Sequence, residues 1–298
     1  MLANNQEQTI TAQAIDRLVA MRHQEERSYK CTDYLAYVAN NCGGDLNTSK
    51  IVNAECRLKM LQWCTQVADF CKFDSETVCI AMTHMDRFLS TEQGGPFLLD
   101  RKDFQLVAIC AFYIAVKLSE PRELDISLLS EISKGAYSTD RIAQMEREML
   151  TALNWRMHPP TALSFTHCAL EMLPSSVLKP SIKEAIIDHA QHQSNIAVSD
   201  YTLIMYSKST VAVASLLNTL EVVDDGYFPI AARRQFLLEV MNVLQIDVND
   251  RALQNIKDRL NMVSVTRDMK PSSPPTASPN KTKSNKRPRS PVSVCRKA

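Results

Sequence analysis

Apolar residues recur at intervals of three and four through most of the chain. That is the spacing one face of an α-helix requires, and prolines fall between the recurring stretches. The pattern predicts helices over about 50–69, 75–90, 101–118, 126–132 and 139–154, then a second set over about 161–173, 180–198, 207–223, 228–243 and 248–262. Asp74 and Asp100 stand where a short acceptor caps the first turn of the second and third helices. Gly94-Gly95-Pro96 separates those two helices, and Glu120-Pro121 ends the third. Two prolines cannot continue a helix, and Thr161 is a good cap for a new one. His158-Pro159-Pro160-Thr161 therefore reads as a hinge between two blocks of five helices.

One predicted helix differs from the rest. Leu106–Val116 is apolar on every side, and a helix without a polar face has to be covered all round. At eleven residues it is too short to cross a bilayer, which takes about 20. A five-helix block in which the third helix is wrapped by the other four meets that demand. Thr210-Val-Ala-Val-Ala-Ser-Leu-Leu holds the matching place in the second block, so duplication is suggested by architecture and not by any repeat of residues. The expected organisation is all-α. An N-terminal helical segment spans 1–48, one five-helix block 49–157 and a second 158–262. In the tail, 263–298, residues 271–298 combine six prolines, several serines and almost nothing that could form a core, and the tail is expected to be disordered.

Composition narrows the function classes. A chain of 298 residues with 45% hydrophobic and 22% charged residues is ordinary for a globular protein, and only 6 Gly argue against a Gly-rich nucleotide fold or a β-sandwich. The net charge of +1 hides an uneven distribution: residues 263–298 carry nine Lys/Arg against one Asp, which leaves a mildly acidic body. The first residues have neither a basic n-region nor an apolar h-region. Nine Cys is an odd number and no two are spaced Cys-x-x-Cys. Cys56, Cys64, Cys71, Cys79 and Cys110 fall in or beside apolar helical stretches, which suits packed thiols in a reducing compartment. His189 and His192 form one i, i+3 pair with no third ligand nearby, so no metal or other cofactor is expected. There is no phosphate-binding Gly loop, metal-spaced cluster or nucleophile elbow, so the chain is not expected to be an enzyme.

Function-bearing motifs lie in the first block. Its first helix reads Glu55-Cys-Arg57-Leu-Lys-Met-Leu-Gln-Trp63-Cys, and its second closes on Met85-Asp86-Arg87-Phe88-Leu89-Ser90. The third runs from Gln105-Leu106 to Ala115-Val-Lys117-Leu-Ser-Glu120, and the fifth holds Gln144-Met145-Glu146 and ends Leu153-Asn154-Trp155. In this order the strings closely resemble the cyclin box, and the resemblance extends over about residues 25–262, with the second block similar to the divergent C-terminal cyclin fold. It implies a non-catalytic regulatory subunit that forms a heterodimer with a cyclin-dependent Ser/Thr kinase and activates it. Matched residue by residue, Arg57 and Asp86 are the internal pair that joins the first two helices, and Leu106 is a core leucine. Lys117 and Glu146 match the pair that faces the kinase; one more internal ion pair is the alternative.

The first helix of the block carries two apolar stripes, Ala54, Leu58, Leu61 and Ala68 beside Cys56, Met60, Trp63 and Val67. One suffices for burial, so the other is free to line an exposed groove. In cyclins such a face docks Arg-x-Leu motifs of kinase substrates, and Met60, Trp63, Arg101 and Gln105 match that patch. Plain packing is the alternative, since Cys56 and Lys59 depart from the pattern and a lysine beside Trp63 repels an incoming arginine. A second function class, the cyclin-fold transcription factors of the IIB type, predicts a Cys-rich zinc ribbon and a basic body; neither is seen, and no direct contact with nucleic acid or membrane is expected.

Glu25-Glu26-Arg27 and Asp33-Tyr34-Leu35 ahead of the box resemble G1-type cyclins, D-like or P-like, although the Leu-x-Cys-x-Glu signature is missing. In the tail, Ser273, Ser278 and Ser290 each precede proline and are candidate phosphorylation sites. Lys286, Arg287 and Arg289 form a basic cluster that suits an import receptor, implying nuclear residence with exchange into the cytoplasm; nucleic-acid binding and a merely solvated tail are the alternatives.

Overall fold

The computed structural model of the chain describes residues 2–36, 51–174 and 176–268, with side chains over 9–36, 51–174 and 176–262. Among these residues every regular element is helical. α1 (Leu2–Ser28) precedes a first block of α2 (Ala54–Cys71), α3 (Ser75–Leu89), α4 (Arg101–Ser119), α5 (Ile126–Ile132) and α6 (Thr139–Ala152). The second block comprises α7 (Ala162–Glu171), α8 (Pro180–Ser199), α9 (Lys208–Val222), α10 (Ile230–Leu244) and α11 (Arg251–Asp268).

Local chemistry fixes the helix ends. Asp74 and Asp100 accept hydrogen bonds from the Glu76 and Lys102 amides, as expected of caps. Asn53 accepts from the Cys56 amide and starts α2 later than the apolar pattern suggests. Thr161 and Ser164 form a reciprocal capping box just beyond the two prolines of the hinge. Between α3 and α4 the chain doubles back so tightly that a Cβ on Gly94 would collide with the Phe88 carbonyl; only glycine fits there.

α4 and α9 are the two central helices. α4 packs on α2, α3, α6 and the short 3-10 helix Gly95–Leu98, while α9 packs on α7, α8, α10 and α11. Apart from a bond between Ser28 and Arg156, α1 makes its main contacts away from the first block that follows it. It lies across α7 and α10, where Ala14 and Leu18 are fully buried in the second core. An ion pair from Arg17 to Glu171 and a hydrogen bond from the Cys168 thiol to the Ala14 carbonyl reinforce that seat. The N-terminal segment, expected only to be helical, thus completes the second block.

Among the described residues no helix is long and apolar enough to cross a membrane, and no group of three His, Cys, Asp or Glu could hold a metal ion.

Candidate functional site

α2 and α3 are joined by a buried two-pronged pair. Arg57 Nε donates to Asp86 Oδ1 at 2.9 Å and Arg57 Nη2 to Asp86 Oδ2 at 2.7 Å. Burial opposes the guanidinium charge, but the Asp86 carboxylate outweighs it and holds Arg57 above its ordinary range. The pair reaches further than the two helices. Arg57 Nη1 donates to the Val198 carbonyl of α8 at 2.8 Å, and the Tyr34 hydroxyl donates to Asp86 Oδ1 at 2.8 Å. Burial first, then Asp86, push the Tyr34 phenol well above its usual pKa. Tyr34 stacks edge-on against Tyr201, whose hydroxyl donates to Asp33 and accepts from the Leu35 amide. One ion pair therefore ties the segment before α2, the first block and the second block together.

Lys117 and Glu146 lie at the surface where α4 and α6 meet. Lys117 Nζ approaches Glu146 Oε1 to 2.6 Å, with Lys117 half-exposed and also 5.0 Å from the centre of the Tyr113 ring. The hydrogen bond to Glu146 raises the Lys117 pKa. At the same end of α4, Glu120 accepts from the Asp74 amide and, at 2.5 Å, the Thr77 hydroxyl, which locks the helix end onto the start of α3. The pair thus sits on a rigid edge: Val116 beside it is wholly buried, while Leu118 is exposed. Leu106 is in the core, as its apolar surroundings require.

The two stripes of α2 are arranged the opposite way from the expected groove. Cys56, Met60, Trp63 and Val67 are all buried, with Trp63 packed edge-on against Phe112 of α4. Ala54 and Leu58, from the stripe expected to be core, are exposed, although Leu61 and Ala68 are buried. The face turned to α3 and α4 decides which stripe is covered, and that face carries Trp63. Gln105 is buried as well; its Oε1 accepts from the Tyr137 hydroxyl at 3.2 Å while its Nε2 has no partner. Only Arg101 of the four patch residues is half-open, and Lys59 is held by Glu55 at 2.8 Å. Ser273, Ser278, Ser290, Lys286, Arg287 and Arg289 lie outside the described residues.

Several contacts escape the sequence pattern. Glu25 of α1, 4% exposed, accepts from the Ser209 amide at 2.9 Å and the Ser209 hydroxyl at 2.6 Å, and pairs with Arg22 at 2.8 Å. Its carboxylate thereby serves the start of α9, where an anion is favoured. The Glu25-Glu26-Arg27 string signals a charged helix end, but nothing in it names a partner 184 positions away.

Residues 16–158 match the family model of the cyclin N-terminal domain. Curated relatives include Cyclin-A1-3 of Oryza sativa subsp. japonica, 24% identical over 203 residues that make up 68% of this chain and 38% of the relative. G1/S-specific cyclin-E1 of Gallus gallus is 26% identical over 56% of this chain and 41% of its own length, and G2/mitotic-specific cyclin-B1 of Oryzias latipes is 27% identical over 59% and 40%. The chain therefore spans about two fifths of the length of the curated relatives it matches. Among solved structures, a viral cyclin from herpesvirus saimiri shares the fold with a TM-score of 0.53 at 18% identity, over 71% of this chain and 86% of that one. The match to the cyclin N-terminal domain over 16–158, the all-helical build and the likeness to relatives of A, E and B type make this chain similar to the cyclins.

Proposed function

We propose that this protein is the non-catalytic regulatory subunit of a cyclin-dependent Ser/Thr protein kinase and that it activates its partner by population shift. A protein kinase works only when its regulatory helix is turned in and its Lys–Glu pair is closed. A rigid surface that binds only that form raises its population. The observation that carries the reading is the Lys117–Glu146 pair, a charged couple on a rigid edge at the end of an otherwise buried helix. Both groups re-partner with the kinase on binding, and the 2.6 Å bond between them keeps them oriented until then.

Charge-assisted hydrogen bonds contribute roughly 1.5–3 kcal/mol each. Lys117→Ala or Glu146→Ala is therefore expected to weaken kinase co-purification and activation tenfold or more, with unchanged helicity by circular dichroism. Full activation by the double variant would overturn the proposal.

Within the family we read the chain as a G1-type cyclin of cell-cycle control, D-like or P-like, because Glu25, Asp33 and Tyr34 of the G1-like segment all make specific bonds. Nuclear import through Lys286, Arg287 and Arg289, with phosphorylation at Ser273, Ser278 and Ser290, completes the reading. A reporter fused to residues 264–298 that stays cytoplasmic would reject import.

A further inference from the structure

A cleft of about 430 Å³ opens where the end of α1, the proline hinge and the second block meet. Three carboxylates line it and all three are already used. Glu25 binds Ser209 and Arg22, Glu26 pairs with Arg22 at 3.1 Å, and Asp250 accepts from the Ala252 amide at 2.9 Å. Two cations are left over. Lys30 and Lys208 both line the cleft, and among the described residues neither has a carboxylate within 4.0 Å. Lys208 is the first residue of α9, where the positive end of the helix dipole disfavours a cation. Glu25 answers the Ser209 amide there, but among the described residues the Lys208 ammonium itself has no carboxylate partner, and it is open to an anion from outside them. Beside the lysines the wall is apolar and ring-rich, made by Pro159, Pro160, Tyr29 and Tyr206. This combination fits a phosphorylated serine followed by proline, with the phosphate on the lysines and the prolyl ring against the tyrosines and prolines.

We propose that this cleft receives the chain's own tail at phosphorylated Ser290, followed by Pro291. The cleft lies at the start of α11, lined by Asp250 and Ala252, and the tail leaves from its end at Asp268. A helix of 18 residues is about 27 Å long, so the tail has to travel back at least that far. At about 3.5 Å per residue, Ser273 reaches roughly 18 Å and falls short, Ser278 spans roughly 35 Å at full extension and so clears the distance with little to spare, and Ser290 reaches with ample slack. Phosphate is what makes the segment bind, since it adds about −1.5 to −2 charges opposite two free lysines. The proposal rests on the tail being phosphorylated, and not on which kinase does it.

The test uses the full chain with phosphoserine installed at position 290 during synthesis, so that it stands or falls apart from any kinase partner. Trypsin cleavage after Lys286 is expected to slow about tenfold relative to the unmodified chain. The same phosphoserine in a Lys30→Gln, Lys208→Gln chain is expected to restore fast cleavage, which separates docking from any local effect of phosphate on the protease; a circular dichroism melt verifies that this variant is folded. Added tail-sequence phosphopeptide is expected to release the segment. Equal cleavage rates with and without the two lysines would overturn the proposal. So would equal protection by phosphoserine at position 273, or equal release by inorganic phosphate or an unrelated phosphopeptide, since the cleft would then read phosphate from any source.

Discussion

From Phe104 to Val116 the central helix of the first block is buried except at Tyr113 and carries one polar side chain besides, Gln105. α9, in the same place in the second block, buries Ser209, Thr210, Ser215, Asn218 and Thr219 among its apolar residues. Buried polar groups are costly unless each finds a partner, so α9 depends on particular neighbours where α4 depends on shape and apolar area. Ser209 is met by Glu25 of α1. Asn218 donates to Gln193 of α8 and the Lys257 carbonyl of α11 and accepts from Asn261, while Thr219 meets His189. The second block also takes Ala14 and Leu18 from α1 to close its core, whereas the first is closed by its own helices with Tyr34 and Ile204 at its edge. Two blocks of one helical plan thus close differently: the first takes only edge residues, Tyr34 and Ile204, from outside its own helices, and the second takes in the N-terminal helix.

The largest expected effect comes from the bond that ties the two together. Asp86→Ala leaves the buried Arg57 guanidinium without a counter-ion, and breaking such a pair costs about 3–5 kcal/mol. Urea unfolding should register that loss, and hydrogen exchange should rise around Val198 of α8 as well as in α2, because Arg57 also holds that carbonyl. Exchange confined to the first block would show that the pair does not couple the two.

Next in size is a cavity made in the dependent block. Leu18 is fully buried, and Leu18→Ala is expected to cost roughly 2–5 kcal/mol. Hydrogen exchange should quicken in α7 and α10 while the amides of α4 stay protected. Equal loosening of both blocks would break the contrast between a block that borrows edge residues and one that borrows a helix.

The smallest expected effect at neutral pH sharpens the first block's own exception. His84 is fully buried in α3 and neither ring nitrogen has a hydrogen-bond partner. Burial, with Arg87 and His158 adding repulsion, lowers its pKa from 6.5 to about 3. Between those values the unfolded chain holds the proton and the folded chain does not, so stability is complete above pH 6.5 and falls on acidification, by at most about 1.4 kcal/mol per pH unit. His84→Leu should flatten that part of the pH dependence in thermal melts. An unchanged slope would locate the acid sensitivity elsewhere.

Much of this molecule is legible along the chain because helix formation is local. Asp74, Asp100 and Thr161 cap their helices through bonds to amides two or three residues on, and the runs around Leu106–Val116 and Thr210–Leu217 demand burial wherever they are placed. Motif strings point to the Arg57–Asp86 bridge, which the structure forms, and single out Lys117 and Glu146 as kinase-facing; the structure bonds those two to each other, the contact that the internal-pair alternative expects. What stayed hidden depends on which surfaces meet. α2 carries two apolar stripes, and periodicity reports both without saying which one α3 and α4 cover; packing chose the stripe with Trp63. α1 has no strong apolar face, so its pattern could not reveal that Ala14 and Leu18 cross to the second block or that Glu25 answers Ser209. The sequence by itself determined the helices, their ends and the two central spans, because hydrogen bonds and caps act within a few residues. Only the tertiary structure decided the partners of Arg57, Glu25 and Trp63, because burial and charge are settled by neighbours that arrive from far along the chain.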